Sequence, residues 1–219
     1  MANNYKIILA SKSPRRAEIL SMIGVNFKVV PSKIKEEINP KIEQNEIAIN
    51  ISKAKAETIS LKYTNDIVIG ADTIVVFNEE IFGKPKDKNE SKKMLKALSG
   101  NSHKVITGVT IMNEKLGILK TFSEVTEVFV QKIPTKQIEF YVNNFNTLDK
   151  AGSYGIQEWF SVWIKRINGC YYNVMGLPVS KLYRYLIETE SLMKWCSVNL
   201  FYKFTELWKV GMVKIKSKY

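Results

Sequence analysis

The segment DIVIGADTIVVF, Asp66–Phe77, decides the fold because it is an almost continuous run of apolar and β-branched residues. Such a run is typical of a strand that is buried on both faces near the centre of a sheet. Strand and helix patterns alternate in the chain before it. The predicted strands there are Tyr5–Ser11 and Asn26–Ser32, and the predicted helices are Pro14–Gly24, capped by Ser13, and Gln44–Tyr63.

The segments after this strand complete a mixed order of elements. They predict a short strand in IFGKP at 81–85, a helix over Asn89–Gly100, two strands joined at Asn113–Gly117, a helix over Thr135–Asn144, a strand over Trp159–Ile167 and a helix over Pro178–Glu190. No repeat or long linker divides the chain. We therefore predict one α/β domain with a mixed, twisted sheet flanked by helices.

The composition argues against several classes of protein. The chain has 219 residues, of which 45% are hydrophobic, and this is enough for one sizeable core. It lacks the roughly 18 continuous apolar residues of a membrane helix and a signal-peptide pattern, so we expect a cytoplasmic protein. The single histidine, His103, argues against a Ser-His-Asp triad or a His-based metal site. Cys170 and Cys196 form no disulfide framework.

The charge predicts an anionic partner. The chain carries 33 Lys and Arg against 21 Asp and Glu, a net charge of +12. Nucleic acid, a membrane surface or a phosphorylated small molecule would each satisfy this charge. The sequence contains no RRM, helix-turn-helix or zinc signature, but a nucleic-acid-binding or regulatory protein without turnover remains the alternative to an enzyme.

The segment ILASKSPRRAEIL, Ile8–Leu20, places Arg15 and Arg16 in the first turn of a predicted helix. The helix dipole disfavours cations at this end. An anion at the helix start would explain them, because the free N–H groups of the first turn already form an anion site. Forked guanidinium groups suit phosphate oxygens, and Ser13 adds a hydroxyl. The alternative is two solvated arginines on a surface helix.

Two further positions point to phosphate chemistry. Asp72 interrupts an apolar strand, which is costly unless the carboxylate is paired, binds a metal or acts as a base. The structural alternative is a cap or a pair with a core arginine. Lys84 lies in a Gly-Lys-Pro turn and is otherwise an ordinary exposed lysine. Glu36 and Glu37 supply further carboxylates, and Mg²⁺ typically takes one or two carboxylates with substrate phosphates and water.

Five blocks of the sequence together closely resemble the Maf family of nucleotide pyrophosphatases. They are LASKSPRRAEIL, GADTIVVFNEEIFGKP, LSGNSHKVITGV, DKAGSYGIQ and NVMGLPVSKL, in order between about Ile8 and Glu188. The resemblance implies a fold like that of inosine triphosphate pyrophosphatase, with a nucleotide cleft. It implies metal-dependent hydrolysis of a nucleoside triphosphate to the monophosphate and pyrophosphate with Mg or Mn, in the cytoplasm, often by a homodimer.

The resemblance also assigns roles to residues. Asp72 becomes the proton acceptor, and Glu36, with Glu37 adjacent, holds the metal together with Asp72. The resemblance implies as substrate ligands Arg15, Arg16, Lys55, Thr73, Lys84 and Gln157. We add Ser13 to this set because its hydroxyl lies at the start of the same helix as the two arginines. Thr73 in GADT and Gln157 in YGIQ resemble the branch that hydrolyses dTTP and UTP. A glutamine amide both donates and accepts, which suits the edge of thymine or uracil.

The sequence departs from the family pattern at Asn101, at Glu158–Phe160 and in the extension 191–219, which lies beyond the usual end of the family. Asn101 stands where arginine is usual, and Glu158–Phe160 replace glycine and smaller residues after Gln157. A catalytically impaired homologue is therefore a further alternative. The family-like domain is predicted to span 1–190. The basic, aromatic-containing extension 191–219 is predicted to be helical, packed on the body or a dimer partner, or else on an anionic membrane surface.

Overall fold

The computed structural model describes residues 5–36, 39, 41–115 and 117–188. The strands within this part are Ile7–Leu9 (β1), Phe27–Val29 (β2), Ile67–Phe77 (β3), Glu80–Phe82 (β4), Ser102–Asn113 (β5), Ile118–Val130 (β6) and Ile164–Asn168 (β7). The α-helices are Pro14–Met22 (α1), Gln44–Ser60 (α2), Lys88–Leu98 (α3), Thr135–Asn144 (α4), Tyr171–Met175 (α5) and Val179–Glu188 (α6). Two 3₁₀ helices occupy Ala151–Ser153 and Trp159–Trp163.

All seven strands belong to one mixed sheet. Its order is β2-β1-β3-β5-β6-β7, and β4 pairs with β3. β1 runs parallel to both β2 and β3, whereas the β3–β4, β3–β5, β5–β6 and β6–β7 pairs are antiparallel. This arrangement confirms the predicted α/β class, the mixed sheet and the central position of β3.

β3 changes its neighbour along one edge. β5 covers the other edge from Val68 to Val76. On the first edge, β1 pairs with Ile67–Ile69 and β4 pairs with Val75–Phe77. Asp72 and Thr73 therefore lie between the two partner strands, where the backbone edge of the sheet opens. Ligand sites in α/β proteins often occupy such switch points.

The side chains of β3 alternate between the two faces of the sheet. Val68 packs with Ala56 and Ile59 of α2, and Ile74 and Val76 pack with Ala48 of the same helix. Asp72 lies in this same row, so it faces α2. The polar residue therefore meets a helix whose buried face combines apolar side chains with Ser52, Lys55 and Ser60.

Two glycines let α2 approach the sheet closely. A Cβ at Gly70 would lie 2.1 Å from the carbonyl oxygen of Ser52, and one at Gly108 would lie 2.2 Å from the carbonyl carbon of Ala48. Neither distance is compatible with a side chain. These contacts fix the distance of α2 from β3, which carries Asp72, and from the neighbouring strand β5.

The predicted strand over 159–167 is wrong in its first half. Trp159–Trp163 form a 3₁₀ helix, and only the second half contributes to β7. Trp159 stacks on Tyr141 with ring centroids 5.5 Å apart. Phe160 is 1% exposed and packs against Tyr154 at 4.6 Å. These aromatic contacts draw the segment away from the sheet ladder.

Helix ends also differ from the predictions. Ser13 occupies the N-cap position of α1, but its side chain makes no capping hydrogen bond. The α3 helix begins at Lys88, one residue earlier than predicted, because Asp87 accepts hydrogen bonds from the backbone N–H groups of Asn89 and Glu90. The short helix α5 was not predicted.

Contacts between Cα atoms divide the chain into two units. One unit is Tyr5–Val179, and the described part of the other is residues 180–188, which belong to α6. The predicted extension 191–219 lies outside the described residues, so its helical character stays a prediction. Over the described ranges, no helix is long and apolar enough to cross a membrane.

Candidate active site

A cleft of about 750 Å³ lies in the unit Tyr5–Val179, beside the point where β3 changes its neighbour. It brings together every residue that the sequence pointed to as a site residue and that the structure describes. These residues are Ser13, Arg15, Arg16, Glu36, Lys55, Asp72, Thr73, Lys84 and Gln157. Glu37, the alternative acid, lies outside the described residues.

The floor of the cleft holds one ammonium group between two carboxylates. Nζ of Lys55 lies 2.6 Å from Oδ1 of Asp72 and 2.8 Å from Oε1 of Glu36. The Lys55 and Asp72 side chains are 10% and 9% exposed, whereas Glu36 is 48% exposed. The cost of burying Asp72 in an apolar row is therefore offset by a lysine of α2 in direct contact, and the charge of the buried Arg16 adds to this attraction.

Glu36 keeps its charge because cations surround it. Its partial burial acts to raise the pKa, but the hydrogen bond and charge of Lys55, with the charges of Lys84 and Arg16, hold that pKa below its ordinary value. A carboxylate that stays ionised in a cleft full of cations can accept a cation or a substrate proton donor. The site therefore presents two negative groups within a positive surface.

Arg16 is buried and its guanidinium is held by three protein acceptors. Nε donates to the Gly176 carbonyl oxygen at 2.8 Å, Nη1 to Ser11 Oγ at 2.9 Å, and Nη2 to Thr73 Oγ1 at 2.9 Å. Burial lowers the pKa of Arg16, although the charge of Asp72 opposes this shift. A guanidinium carries five N–H donors, so two remain for a ligand. The alternative of two solvated arginines is wrong for Arg16.

Thr73 faces the opposite side of the sheet from Asp72, as adjacent strand residues must. Its hydroxyl accepts from Arg16 and shares a 2.9 Å hydrogen bond with Thr107 Oγ1. Thr107 in turn donates to the carbonyl oxygen of Asn173. Thr73 thus holds the arginine in place, in addition to lining the cleft.

Arg15 and Ser13 lie at the start of α1, on the rim of the cleft. Arg15 Nη1 donates to Asp149 Oδ2 at 3.3 Å, and its side chain is 19% exposed. The backbone N–H of Ser13 donates to Ser11 Oγ. The first turn of a helix presents unsatisfied N–H groups, so this rim combines a guanidinium with the positive end of a helix.

Lys84 and Gln157 are exposed residues on two different loops that line the cleft. The charge of Lys84 contributes to the lowered pKa of Glu36, so the two side chains lie within electrostatic range. Lys84 is thus both the exposed turn lysine of the structural alternative and a lining group. Its solvated head is available to an anionic ligand.

Sequence reasoning missed Asp149, Lys150 and Tyr154, which also line the cleft. Lys150 is 4% exposed, and its ammonium lies 2.8 Å from Asp149 Oδ1. The available signal was the adjacent aspartate and lysine in DKAG, at the start of the block that carries Gln157. Charged residues in a glycine-containing loop look solvated until the fold buries them.

The residues present fit a divalent cation that is shared with a phosphate ligand. Among the described residues, no group of three or more His, Cys, Asp and Glu could hold a metal alone. Glu36 and Asp72 supply two carboxylates on either side of Lys55. Mg²⁺ commonly uses one or two carboxylates and takes its other ligands from substrate phosphates and water.

Comparison with models of protein families shows to which family the chain belongs. The family model described as Maf-like protein matches residues 6–189. The chain belongs to the Maf-like protein family. A dTTP/UTP pyrophosphatase of Carboxydothermus hydrogenoformans is 43% identical over 183 residues, which are 84% of this chain and 98% of that relative.

A second curated relative agrees with this membership. A dTTP/UTP pyrophosphatase of Thermosipho africanus is 48% identical over 178 residues, 81% of this Maf-like chain and 90% of the relative. A solved HAM1 protein from Coxiella burnetii is 21% identical with a TM-score of 0.42, and the match covers 60% of this chain and 75% of that chain. The mixed sheet itself, rather than this low structural similarity, identifies the fold class.

Proposed function

We propose that this Maf-like protein hydrolyses nucleoside triphosphates, with dTTP and UTP preferred, to the nucleoside monophosphate and pyrophosphate. The observation that carries the proposal is the buried Lys55–Asp72 pair at 2.6 Å in a cleft lined by Arg15, Arg16 and Lys84. A buried carboxylate among cations suits a triphosphate and a water molecule. The names of the relatives from Carboxydothermus and Thermosipho support the same reaction.

Asp72 is the proposed proton acceptor. Lys55 binds Oδ1, which leaves the lone pairs of Oδ2 for a water molecule. The water oxygen would form a bond to the α-phosphorus while its proton passes to Asp72. The bond from the α-phosphorus to the bridging oxygen would break, and pyrophosphate would leave with that oxygen.

The cations of the cleft are proposed to hold the triphosphate and stabilise developing charge. Arg16 is fixed by three acceptors and keeps two N–H groups free for phosphate oxygens. Arg15 adds a guanidinium at the start of α1, and Lys84 adds an exposed point charge. Donors that are already oriented need no reorganisation when the transition state forms.

Glu36 and Asp72 are the proposed ligands of a Mg or Mn ion that also binds the phosphates. Such an ion neutralises phosphate charge and orients the chain of phosphoryl groups when it is bound. Lys55 contacts both carboxylates, so it holds their oxygens close together before any ligand arrives. The two acids would otherwise repel each other.

Gln157 is the proposed contact to the base. Its amide offers a donor and an acceptor, which matches the O4 and N3–H groups of thymine or uracil. Thr73 is proposed to act on substrate preference through Arg16, because its hydroxyl is already bonded to that guanidinium. The base preference would then depend mainly on the loop that carries Gln157.

Pyrophosphate release tests the proposal. Purified protein is incubated with dTTP, UTP, CTP, GTP, ATP and 7-methyl-GTP in Mg²⁺, in Mn²⁺ and in EDTA. We expect metal-dependent release that is strongest with dTTP and UTP. Folded protein that releases no pyrophosphate from the whole panel would refute the proposal and favour the binding or impaired-homologue alternatives.

The nucleic-acid alternative rests on the net charge of +12. It predicts an affinity for DNA or RNA that falls steeply with salt and persists after Asp72→Asn. Salt-dependent binding without any nucleotide turnover would support it. Turnover that depends on Asp72 would support the enzyme.

The family resemblance implies both the assembly and the compartment. We propose a cytoplasmic enzyme that forms a homodimer. Light scattering coupled to gel filtration measures the mass directly, against a chain mass of 25.1 kDa. A mass near one chain at micromolar concentration would refute the dimer.

A further inference from the structure

Lys150 is a buried lysine that touches the cleft and is saturated with acceptors. Its ammonium lies 2.8 Å from Asp149 Oδ1 and 3.0 Å from Glu158 Oε1, and it donates to the carbonyl oxygen of Asn146. An ammonium has three N–H donors. All three are used within the protein, so Lys150 has no donor left for a substrate. Its role must therefore be exerted through its partners.

One partner leads to the triphosphate end of the cleft. Asp149 binds Lys150 through Oδ1 and Arg15 through Oδ2. The carboxylate is thus shared between the buried ammonium and the guanidinium at the start of α1. The two cations lower the pKa of Asp149 even though its partial burial acts in the opposite direction. Asp149 stays ionised and can hold Arg15.

The other partner leads to the base end of the cleft. Oε1 of Glu158 forms the ion pair with Lys150. Oε2 of Glu158 accepts a 3.3 Å hydrogen bond from the Tyr141 hydroxyl. The same hydroxyl accepts from the backbone N–H of Gly155 at 3.2 Å. Gly155 and Glu158 lie on either side of Gln157, so both ends of this short loop are held.

Glu158 also packs directly on the loop backbone. A Cβ at Gly155 would lie 2.9 Å from the carboxyl carbon of Glu158. Any larger residue at Gly155 would therefore push the carboxylate away from Lys150. Glu158 itself is not among the residues that line the cleft, so its effect on a ligand is indirect.

We propose that Lys150 and Glu158 are positioning residues: their ion pair fixes the Gly155–Glu158 loop and, through Asp149, the Arg15 guanidinium. The pair thereby couples the base end of the cleft to its triphosphate end. This inference rests on the proposed function, because it assigns base discrimination to the position of Gln157. The chain Arg15–Asp149–Lys150–Glu158 consists of groups on three separate segments that only the fold brings together.

Four variants test the inference. Glu158→Gln removes the charge but keeps the size of the side chain, and Lys150→Met removes the ammonium. Because Lys150→Met leaves a carboxylate partly buried and short of a cation, the double variant Lys150→Met with Glu158→Gln removes both charges together. The control is Glu139→Gln, an exposed carboxylate on the helix of Tyr141 that does not line the cleft.

The first readout is the ratio of kcat/KM for UTP to that for CTP. Misplacing a positioned contact costs large factors in rate, so we expect this ratio to fall about tenfold or more in Glu158→Gln and in the double variant. The Tm of Glu158→Gln is measured by thermal unfolding. An unchanged Tm shows that the variant still folds, so that a lower ratio reports the position of the loop. An unchanged ratio in both variants, with an active wild type, overturns the inference and leaves the proposed function standing.

The second readout does not require turnover. Amide hydrogen exchange across 150–158 reports directly whether the loop is held. We expect faster exchange at Gly155, Ile156 and Gln157 in Glu158→Gln and in the double variant. The control Glu139→Gln should exchange at the wild-type rate. Unchanged exchange overturns the inference whether or not the wild type is active, whereas an inactive wild type with faster exchange in the variants refutes only the proposed function.

Discussion

Lys55 and Asp72 form a 2.6 Å ion pair between the central helix and the central strand of the fold. The pair exists because Asp72 falls in the row of β3 side chains that faces α2, and because Gly70 and Gly108 let that helix approach. A charged residue in an apolar strand is thereby compensated and presented to a cleft at the same time. The same geometry serves stability and the proposed chemistry.

Replacing Asp72 by asparagine should abolish most turnover. An amide is isosteric with the carboxylate but cannot accept the proton of the attacking water, and general-base catalysis contributes about 10²–10⁴-fold. We expect pyrophosphate release from UTP to fall by a factor in this range. Folding should largely persist because Glu36 still compensates Lys55 at 2.8 Å.

A matched control for this variant is Glu80→Gln, which removes an exposed carboxylate of the β4 hairpin outside the cleft. Its turnover should equal that of the wild type. Wild-type activity in Asp72→Asn would contradict the base assignment, and unfolding of that variant would show that the pair is mainly structural.

The two arginines of α1 should respond differently to lysine. Arg16→Lys removes the guanidinium group that donates hydrogen bonds to three acceptors. Hydrogen bonds to charged groups contribute about 1.5–3 kcal/mol each. We expect the free energy of unfolding to fall by about 2 kcal/mol or more and kcat/KM for UTP to fall at least tenfold. Arg15→Lys loses a single, partly exposed contact to Asp149 at 3.3 Å, so its stability should change by less than about 1 kcal/mol.

Urea unfolding and steady-state kinetics on both variants measure this difference. Equal losses of stability at the two positions would show that the three contacts of Arg16 contribute nothing beyond those of a surface arginine. Such a result would contradict the interpretation of Arg16 as a buried, fixed donor.

Gly108→Ala should destabilise the protein strongly. The new Cβ would lie 2.2 Å from the Ala48 carbonyl carbon, and backbone of α2 cannot move aside as a flexible side chain can. Overpacking in a core costs about 1–3 kcal/mol. We expect a loss of this size or larger in urea unfolding, with reduced activity because α2 also carries Lys55.

The control for this substitution is Gly83→Ala, whose Cβ would meet no atom within 4 Å. Its stability should stay within about 0.5 kcal/mol of the wild type, as for most unconstrained surface positions. A tolerated Gly108→Ala would show that α2 can shift from the sheet at little cost.

Stability should fall at acid pH partly because of His103. Burial lowers the pKa of this imidazole from 6.5 to about 4, so the unfolded chain binds the proton more readily than the folded one. The contribution is therefore complete above pH 6.5 and is lost as the pH falls towards 4. A pKa that falls from 6.5 to about 4 corresponds to a loss of about 3 kcal/mol of stability at acid pH.

Urea unfolding between pH 7 and 4 in the wild type and in His103→Gln measures this effect, because His103 is the one histidine of the chain. Carboxylates contribute equally to both proteins, so the difference isolates the imidazole. Parallel stability curves over this range would contradict a neutral, buried His103 bonded to Tyr154.

Much of the fold could be predicted because its signals are local. The apolar run of β3 and the spacing of α2 need no knowledge of distant contacts. Asp72 was recognisable as a functional candidate because a carboxylate in such a run is costly. Arg15 and Arg16 were recognisable for a similar reason, because cations at the positive end of a helix are also costly.

The failures occurred where distant partners decide the local structure. Trp159 and Phe160 have strand-like composition, but their packing against Tyr141 and Tyr154 outweighs that preference. Lys150 looks like a solvated loop residue until Glu158, eight positions later, folds back on it. No periodicity or spacing in the sequence encodes such a pairing.

The most direct test of the proposed chemistry is hydrolysis of UTP in water enriched in ¹⁸O, followed by mass analysis of both products. Attack on the α-phosphorus by a water that Asp72 activates predicts one ¹⁸O in the uridine monophosphate and none in the pyrophosphate. Label in the pyrophosphate, or release of labelled orthophosphate instead, would contradict the account because it would place the attack on another phosphorus.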